Sequence, residues 1–192
     1  MRRPQHQSIM NALTNGQRGF SLFIVLIVMI IIAFLAVAAT QTYNTEMRIS
    51  SNDADRKMAM ATAEAALREG ESVIASFTNQ TFTADCTDGL CSQARQNTTT
   101  VGTNEGTLTI EGGSNDNAWT RLCNNASVSC LENNGRTYTT AGAAKHARYI
   151  IEYINNTSDV NGNTLLFRVT ARAWGQNENT VVTVQSYVES VR

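Results

Sequence analysis

Proline is all but missing from this chain: of 192 residues, Pro4 is the only one. Beyond it no helix has to kink or stop on proline's account. Histidine is nearly as scarce. His6 stands near the N-terminus and His146 in the basic run Lys145-His146-Ala147-Arg148, which reads as a solvated loop. Neither supports a Ser-His-Asp or Cys-His arrangement, so no catalytic residue, cofactor-binding set or metal site is expected. Charge is low too, at 16% Asp, Glu, Lys and Arg against a typical ~25%. The net charge of −1 leaves no basic face for nucleic acid. Acidic residues are absent from the first 39 positions, where Arg2, Arg3 and Arg18 give +3, so the part beyond Ala39 carries −4.

What is present begins with an apolar run from Phe20 to Ala39, in which only Ser21 has a strongly hydrogen-bonding side chain. About 20 such residues are what one helix needs to cross a hydrocarbon core ~30 Å thick. Because positive residues stay cytoplasmic, the remainder is expected on the far side of the inner membrane, in the periplasm. An ordinary signal anchor would account for the span alone. The junction Gln17-Arg18-Gly19-Phe20 adds a charge, a Gly and an abrupt apolar start. A secretory signal peptide would instead be cut after an apolar region of only about 7–15 residues. The junction therefore reads as a cleavage site that leaves the membrane helix in the product. Met10 offers a second start, leaving a leader of residues 10–19.

Four cysteines fit an oxidising compartment. They allow three connectivities, of which the local pairs Cys86–Cys91 and Cys123–Cys130 are preferred because short loops close readily. Loop entropy does not enforce that choice: a local bridge is worth ~2 kcal/mol and a long-range one ~4 kcal/mol. Zinc is the competing reading, but its paired cysteines usually have two to four residues between them, whereas these have four and six.

Residues 40–77 contain no Pro and a single Gly, Gly70. Met47, Ala54, Met58, Ala61 and Ala65 recur at helical spacing, with Met60, Ala63, Leu67, Ile74 and Phe77 as a neighbouring stripe. Charged residues among them are spaced for i, i+4 pairs such as Glu64 with Arg68. With the span, this predicts one helix from 20 to 77, roughly 87 Å long. From 78 to about 138 the sequence is loop-rich, with a strand candidate at 107–111. The length of that stretch implies further short elements within it. Residues 148–154, 165–174 and 180–189 predict three antiparallel strands, joined through turns at Asp159-Val160-Asn161-Gly162-Asn163 and Gly175–Asn179. Phe167, Val169, Ala171 and Ala173 should face the helix, and the alternate residues should face solvent or a neighbouring subunit. Thr157, Asp159, Asn161 and Gly162 have a faint look of a calcium loop, but Arg168 stands where its closing Glu belongs. Asn125-Ala126-Ser127 matches a glycosylation triplet and means little in a bacterial host.

The junction residues and the helix that follows resemble the prepilin leader and N-terminus of type IV pilins. The resemblance implies that a prepilin peptidase cuts between Gly19 and Phe20 and methylates the new amine of Phe20. Ala63-Glu64-Ala65-Ala66-Leu67-Arg68, Tyr149-Ile150-Ile151-Glu152-Tyr153, the run Arg168 to Ala173, and Asn177-Glu178-Asn179-Thr180-Val181-Val182 with Gln185-Ser186 resemble the PilX-like minor pilins. The expected fold is therefore α+β, the pilin fold, with a long N-terminal helix packed on an antiparallel three-stranded sheet and a disulfide-bonded loop region. Four segments follow: leader 1–19, transmembrane half-helix 20–39, amphipathic half-helix 40–77, and periplasmic head 78–192. The resemblance implies prepilin peptidase, other minor pilins, the major pilin and the inner membrane as partners, with the mature subunit in the pilus at the cell surface.

Two departures from the general pilin pattern bear on role. Most pilins carry Glu at the fifth mature residue, where it attracts the N-terminal amine of a subunit already in the filament. Here that residue is Ile24. A carboxylate at mid-membrane costs about 3 kcal/mol, so a family that keeps one has a use for it. A subunit without it suits the first place in a pilus, as initiator at or near the tip, although drift in a head-docked minor component gives the same residue. The usual helix-kinking Pro after the span is also absent, with Gln41 in its place, which implies a straighter helix. The minor pseudopilin of type II secretion is an alternative that shares the missing acid. A single-pass periplasmic sensor or enzyme is a second.

Overall fold

A computed structural model of the chain describes residues 20–123, 127–159 and 162–191. The chain divides into two compact units, Met1–Ile49 and Ser50–Arg192. One helix, α1 (Phe20–Ile74), supplies all that is described of the first unit and opens the second. In the first unit its large apolar side chains stand exposed on every side, from Phe20 and Leu22 to Phe34 and Val37. A helix apolar all round is one that lipid or partner helices must cover.

The second unit has its own core. The chain leaves α1 through turn bonds from the N–H groups of Ser76 and Phe77 to the carbonyls of Val73 and Ile74. Ten further elements follow: β1 (Gln80–Phe82), a 3-10 turn at Thr87–Gly89, β2 (Leu90–Ser92), β3 (Thr99–Thr103), β4 (Gly106–Ile110), α2 (Cys130–Asn134), β5 (Arg136–Tyr138), β6 (Ala147–Asp159), β7 (Gly162–Trp174) and β8 (Val181–Val191). The last three form the expected antiparallel meander. The sheet they belong to is nevertheless mixed and five-stranded rather than three-stranded and antiparallel. β2 joins β6 in parallel and β5 joins it antiparallel, on the same edge. A separate sheet, β1-β4-β3, is built wholly from the loop-rich stretch, again with one parallel pair. Three-residue strands leave too short a pattern to be legible beforehand.

The helix face that meets the sheet is not the first stripe expected. Ala59, Thr62, Ala63, Ala66, Gly70 and Ile74 are buried, whereas Ala54 and Ala61 are exposed and Met60 is 41% exposed. Small residues won this face because they let the helix backbone come close. A Cβ built at Gly70 would lie 2.6 Å from Val169 Cγ1. The main core joins this face to Tyr149, Ile151, Tyr153, Leu165, Phe167, Val169, Ala171 and Ala173. Phe77, Phe82, Tyr153 and Phe167 make edge-on, tilted and stacked ring contacts within it, with centroids 5.8–6.0 Å apart.

The other face of the sheet is largely covered as well. Cys86, Cys91, Ala118, Cys123, Cys130 and Leu131 pack with Ile150 in a second core, with Trp119 against it. The cysteines pair locally, Cys86 with Cys91 and Cys123 with Cys130, at Cα separations of 4.1 and 4.9 Å. Register across the sheet depends on one irregularity between Tyr153 and Asn155, where Ile154 has no partner. Pairing outward from Asp159 opposite Gly162 would otherwise put Glu152 across from Val169. With the extra residue absorbed, Glu152 meets Arg168.

Candidate functional site

No residue set in the described chain has the form of a reaction centre. Groups of three or more His, Cys, Asp or Glu able to hold a metal are absent among the described residues. His146 accepts a backbone hydrogen bond from Thr140 at Nδ1, 3.2 Å away. The features that remain are the exposed part of α1, a sheet face built on buried charge, and a polar clasp.

The first is the exposed part of α1. Phe20, 68% exposed, is the first described residue, and Gly19, the other half of the expected cleavage site, lies outside the described residues with the rest of 1–19. Ile24 is 47% exposed on this helix. No charged residue occurs between Phe20 and Glu46. Just past the apolar run, the hydroxyls of Thr40, Thr42 and Thr45 donate to the carbonyls of Val37, Ala38 and Gln41 at 2.8–3.2 Å. These three threonine hydroxyls are thus satisfied by their own helix.

The second surface is the sheet face turned away from α1, and it is built on buried charge. Glu152 is fully buried, and its Oε2 takes hydrogen bonds from Nε (2.9 Å) and Nη2 of Arg168. Its Oε1 has no hydrogen-bond partner among the described residues. Burial pushes the Glu152 carboxyl above its ordinary pKa, and the bonds and charge of Arg168, with the charge of Arg121, only partly offset this. Arg168 lies against two aromatic rings, 4.1 Å from the centroid of Trp119 and 5.9 Å from that of Tyr187. Arg121, itself buried, donates to the carbonyls of Ala84, Ser92 and Asp116 and so ties three parts of the loop region together. Its guanidinium pKa is lowered, chiefly by desolvation. A second pair, Arg172 with Glu132, fastens α2 to β7. The alternate residues of β7 were expected to meet solvent or a neighbour. Arg168 and Arg172 are instead half-buried in ion pairs, and Thr170 and Trp174 are buried.

The third is a clasp between α1 and the β7–β8 turn. Asp55 accepts bonds from the Thr180 side chain and from the N–H groups of Gln176 and Asn177. These hold its carboxyl below the usual pKa, the Thr180 bond most. Ser51, Asn52, Ala54, Asp55, Met58, Gln176 and Asn177 line a cleft of about 280 Å³ beside it. The one carboxylate in that cleft is already committed to the turn.

The sequence reading missed Trp119, Arg121, Glu152 and Arg168 as a connected set, and Asp55 as a separate clasp. One signal was visible. A Glu inside the apolar run 149–153 and an Arg inside an apolar alternation, on two strands of one hairpin, are candidates to neutralise each other when buried. The calcium-like spacing falls partly on Asn161, and the glycosylation triplet on Asn125 and Ala126, which lie outside the described residues.

Comparison with known proteins adds the following. A family model described as type IV pilus assembly protein PilX, C-terminal, matches residues 87–190, and one described as PilX N-terminal matches residues 18–68. No curated protein and no solved structure matches the chain.

Proposed function

The chain belongs to the PilX family of type IV pilus assembly proteins and is a PilX-like minor pilin; on that premise we propose that it initiates pilus assembly and stands at or near the tip. The observation that carries this is Ile24 in a helix with no charge between Phe20 and Glu46. Cleavage between Gly19 and Phe20 makes Phe20 the methylated first residue and Ile24 the fifth. The position that recruits a subunit beneath an existing one is then uncharged. Such a subunit pays no desolvation cost of about 3 kcal/mol in the membrane and has no use for a subunit above it. Its neighbours can still dock their own acid on its N-terminal amine.

The precursor crosses the inner membrane once, with the head in the periplasm, and prepilin peptidase releases the mature chain. Function lies in assembly with other minor pilins and the major pilin rather than in catalysis. The exposed apolar helix fits this reading, as does a head whose buried charge is neutralised internally. The pseudopilin of type II secretion shares the missing acid, but the family match is to pilus assembly.

The test is to delete the gene and count surface pili, then to image sheared pili with a label on the head. Loss of the protein should lower the number of pili while leaving subunit packing in any remaining pilus unchanged. Ile24→Glu should leave the head folded and scatter the subunit along the shaft. Uniform decoration of the shaft by the unmodified protein would overturn the tip assignment and leave Ile24 as drift.

A further inference from the structure

Among the described residues, the five-stranded sheet ends on β8, whose outer edge pairs with nothing. Sheet edges offer unpaired N–H and C=O groups, and proteins blunt them with short strands, bulges, proline or charged side chains, lysine above all. The opposite edge of this sheet is treated so: β2 and β5, three residues each, close it off. Apart from the single charged side chain of Glu189, β8 carries none of these devices. It is eleven residues long, pairs with β7 from Val181–Trp174 to Val191–Thr164 without a register break, and contains no Pro, Lys or Arg.

Three cross-strand bonds hold this edge in place. Arg172 Nε donates to Thr183 Oγ1 at 3.1 Å, Gln185 Nε2 to Thr170 Oγ1 at 2.9 Å, and Arg168 Nη1 to Tyr187 Oη at 3.3 Å. On the inner side Val182, Val184 and Val188 pack against the main core. An edge already ordered loses little entropy when another strand is added to it. Arg168 and Arg172 are spent on Glu152 and Glu132. That leaves Glu189 as the one charge of the strand, with no ion-pair partner among the described residues. Tyr187, 61% exposed and steadied by Arg168, is the aromatic anchor.

We propose that β8 is the docking edge for an extended strand from a different pilus subunit, one that presents Lys or Arg opposite Glu189 and an apolar side chain beside Tyr187. The backbone groups of the edge require the occupant to be extended, since only a strand returns a bond to each of them. Glu189 sets its charge, because an opposite charge across the strands stabilises a pair, and a second β8 has no Lys or Arg to supply one in any register. The choice of a different subunit over a second copy rests further on the reading of the chain as a scarce minor pilin.

The test uses the full-length chain in pilus-producing cells, with a photo-crosslinking benzoylphenylalanine replacing Thr183, Gln185, Tyr187 or Glu189 one at a time. Strand addition predicts adducts with one other subunit. The crosslinked partner residue should advance two positions in a constant direction for each two-residue step along β8. In the Gln185-substituted chain, Glu189→Lys should lower adduct yield about fivefold, the upper worth of an exposed ion pair. Adducts that scatter without register, adducts only with a second copy, or no adduct from a protease-resistant head would each overturn the proposal. If deletion lowers pilus number but β8 gives no adduct, the edge assignment fails and the minor-pilin role stands. If deletion leaves pilus number unchanged, the initiation role fails whatever β8 contacts.

Discussion

Gly70→Ala is the sharpest probe of how the head is held on its helix. In an exposed helix interior, alanine in place of glycine gains ~1 kcal/mol from propensity alone. Here the added Cβ would lie 2.6 Å from Val169 Cγ1 and 3.0 Å from Tyr149 Cδ2, well inside the ~3.5–4.0 Å of ordinary carbon contact. Neither neighbour can give way easily: Val169 is fully buried, Tyr149 is 4% exposed, and β7 is paired on both sides. Overpacking of this kind costs ~1–3 kcal/mol. Set against the propensity gain, the net effect is a loss of about 1 kcal/mol, or a fall of roughly 4 °C in the thermal midpoint of a domain of this size. Val169→Ala on its own should cost ~2 kcal/mol by leaving a cavity. Combined with Gly70→Ala it should cost about 1 kcal/mol less than the sum, since the missing methyls make room for the new one. Thermal unfolding of the four chains, followed by circular dichroism, measures this cycle. A rise in midpoint for Gly70→Ala, or strict additivity in the double variant, would show that the helix does not approach the sheet as described.

Three further outcomes are expected. The pKa of Asp55 is lowered in the folded head, so its stabilising effect is present above the ordinary Asp value of 3.8 and is lost as pH falls through the folded value; Asp55→Asn should therefore flatten the acid limb of a midpoint-against-pH curve, and an unchanged acid limb would remove Asp55 as the clasp. Arg168→Ala strands the buried carboxylate of Glu152 and should cost about 3 kcal/mol in denaturant unfolding, with Arg168→Lys recovering only part because it lacks the fork that meets Oε2 twice; a cost under about 1 kcal/mol would show the pair to be solvated. Mass spectrometry of the membrane-bound protein from peptidase-positive cells should find a methylated Phe20 at the N-terminus, and replacing Gly19 with a bulkier residue should leave the leader in place; an intact leader in the unmodified protein would end the prepilin reading.

Short-range chemistry was legible in the residues themselves. An apolar run of about 20 residues is long and apolar enough to cross a membrane as one helix, the form in which backbone groups bond internally. Alternating Val, Ile and Tyr marked the C-terminal strands, and β6, β7 and β8 pair in the expected order with Phe167, Val169, Ala171 and Ala173 turned to the helix. Residue order and spacing also carried the family. Of the two stripes expected on the helix, the second holds at Ala63, Leu67, Ile74 and Phe77; the first was misjudged because methionine and alanine score as apolar wherever they stand, and only close packing singles out the positions where small size counts.

The parallel partner β2, the second sheet and the covered far face of the main sheet join segments distant in the chain. No local period records such pairings. The charge network was hidden for the same reason. Whether Glu152 meets Arg168 or Val169 turns on one unpaired residue, Ile154, and a shift of one position exchanges the two faces of a strand. Local periodicity determined the long helix and the three C-terminal strands, while long-range register decided which charges were buried together and which edge was left open.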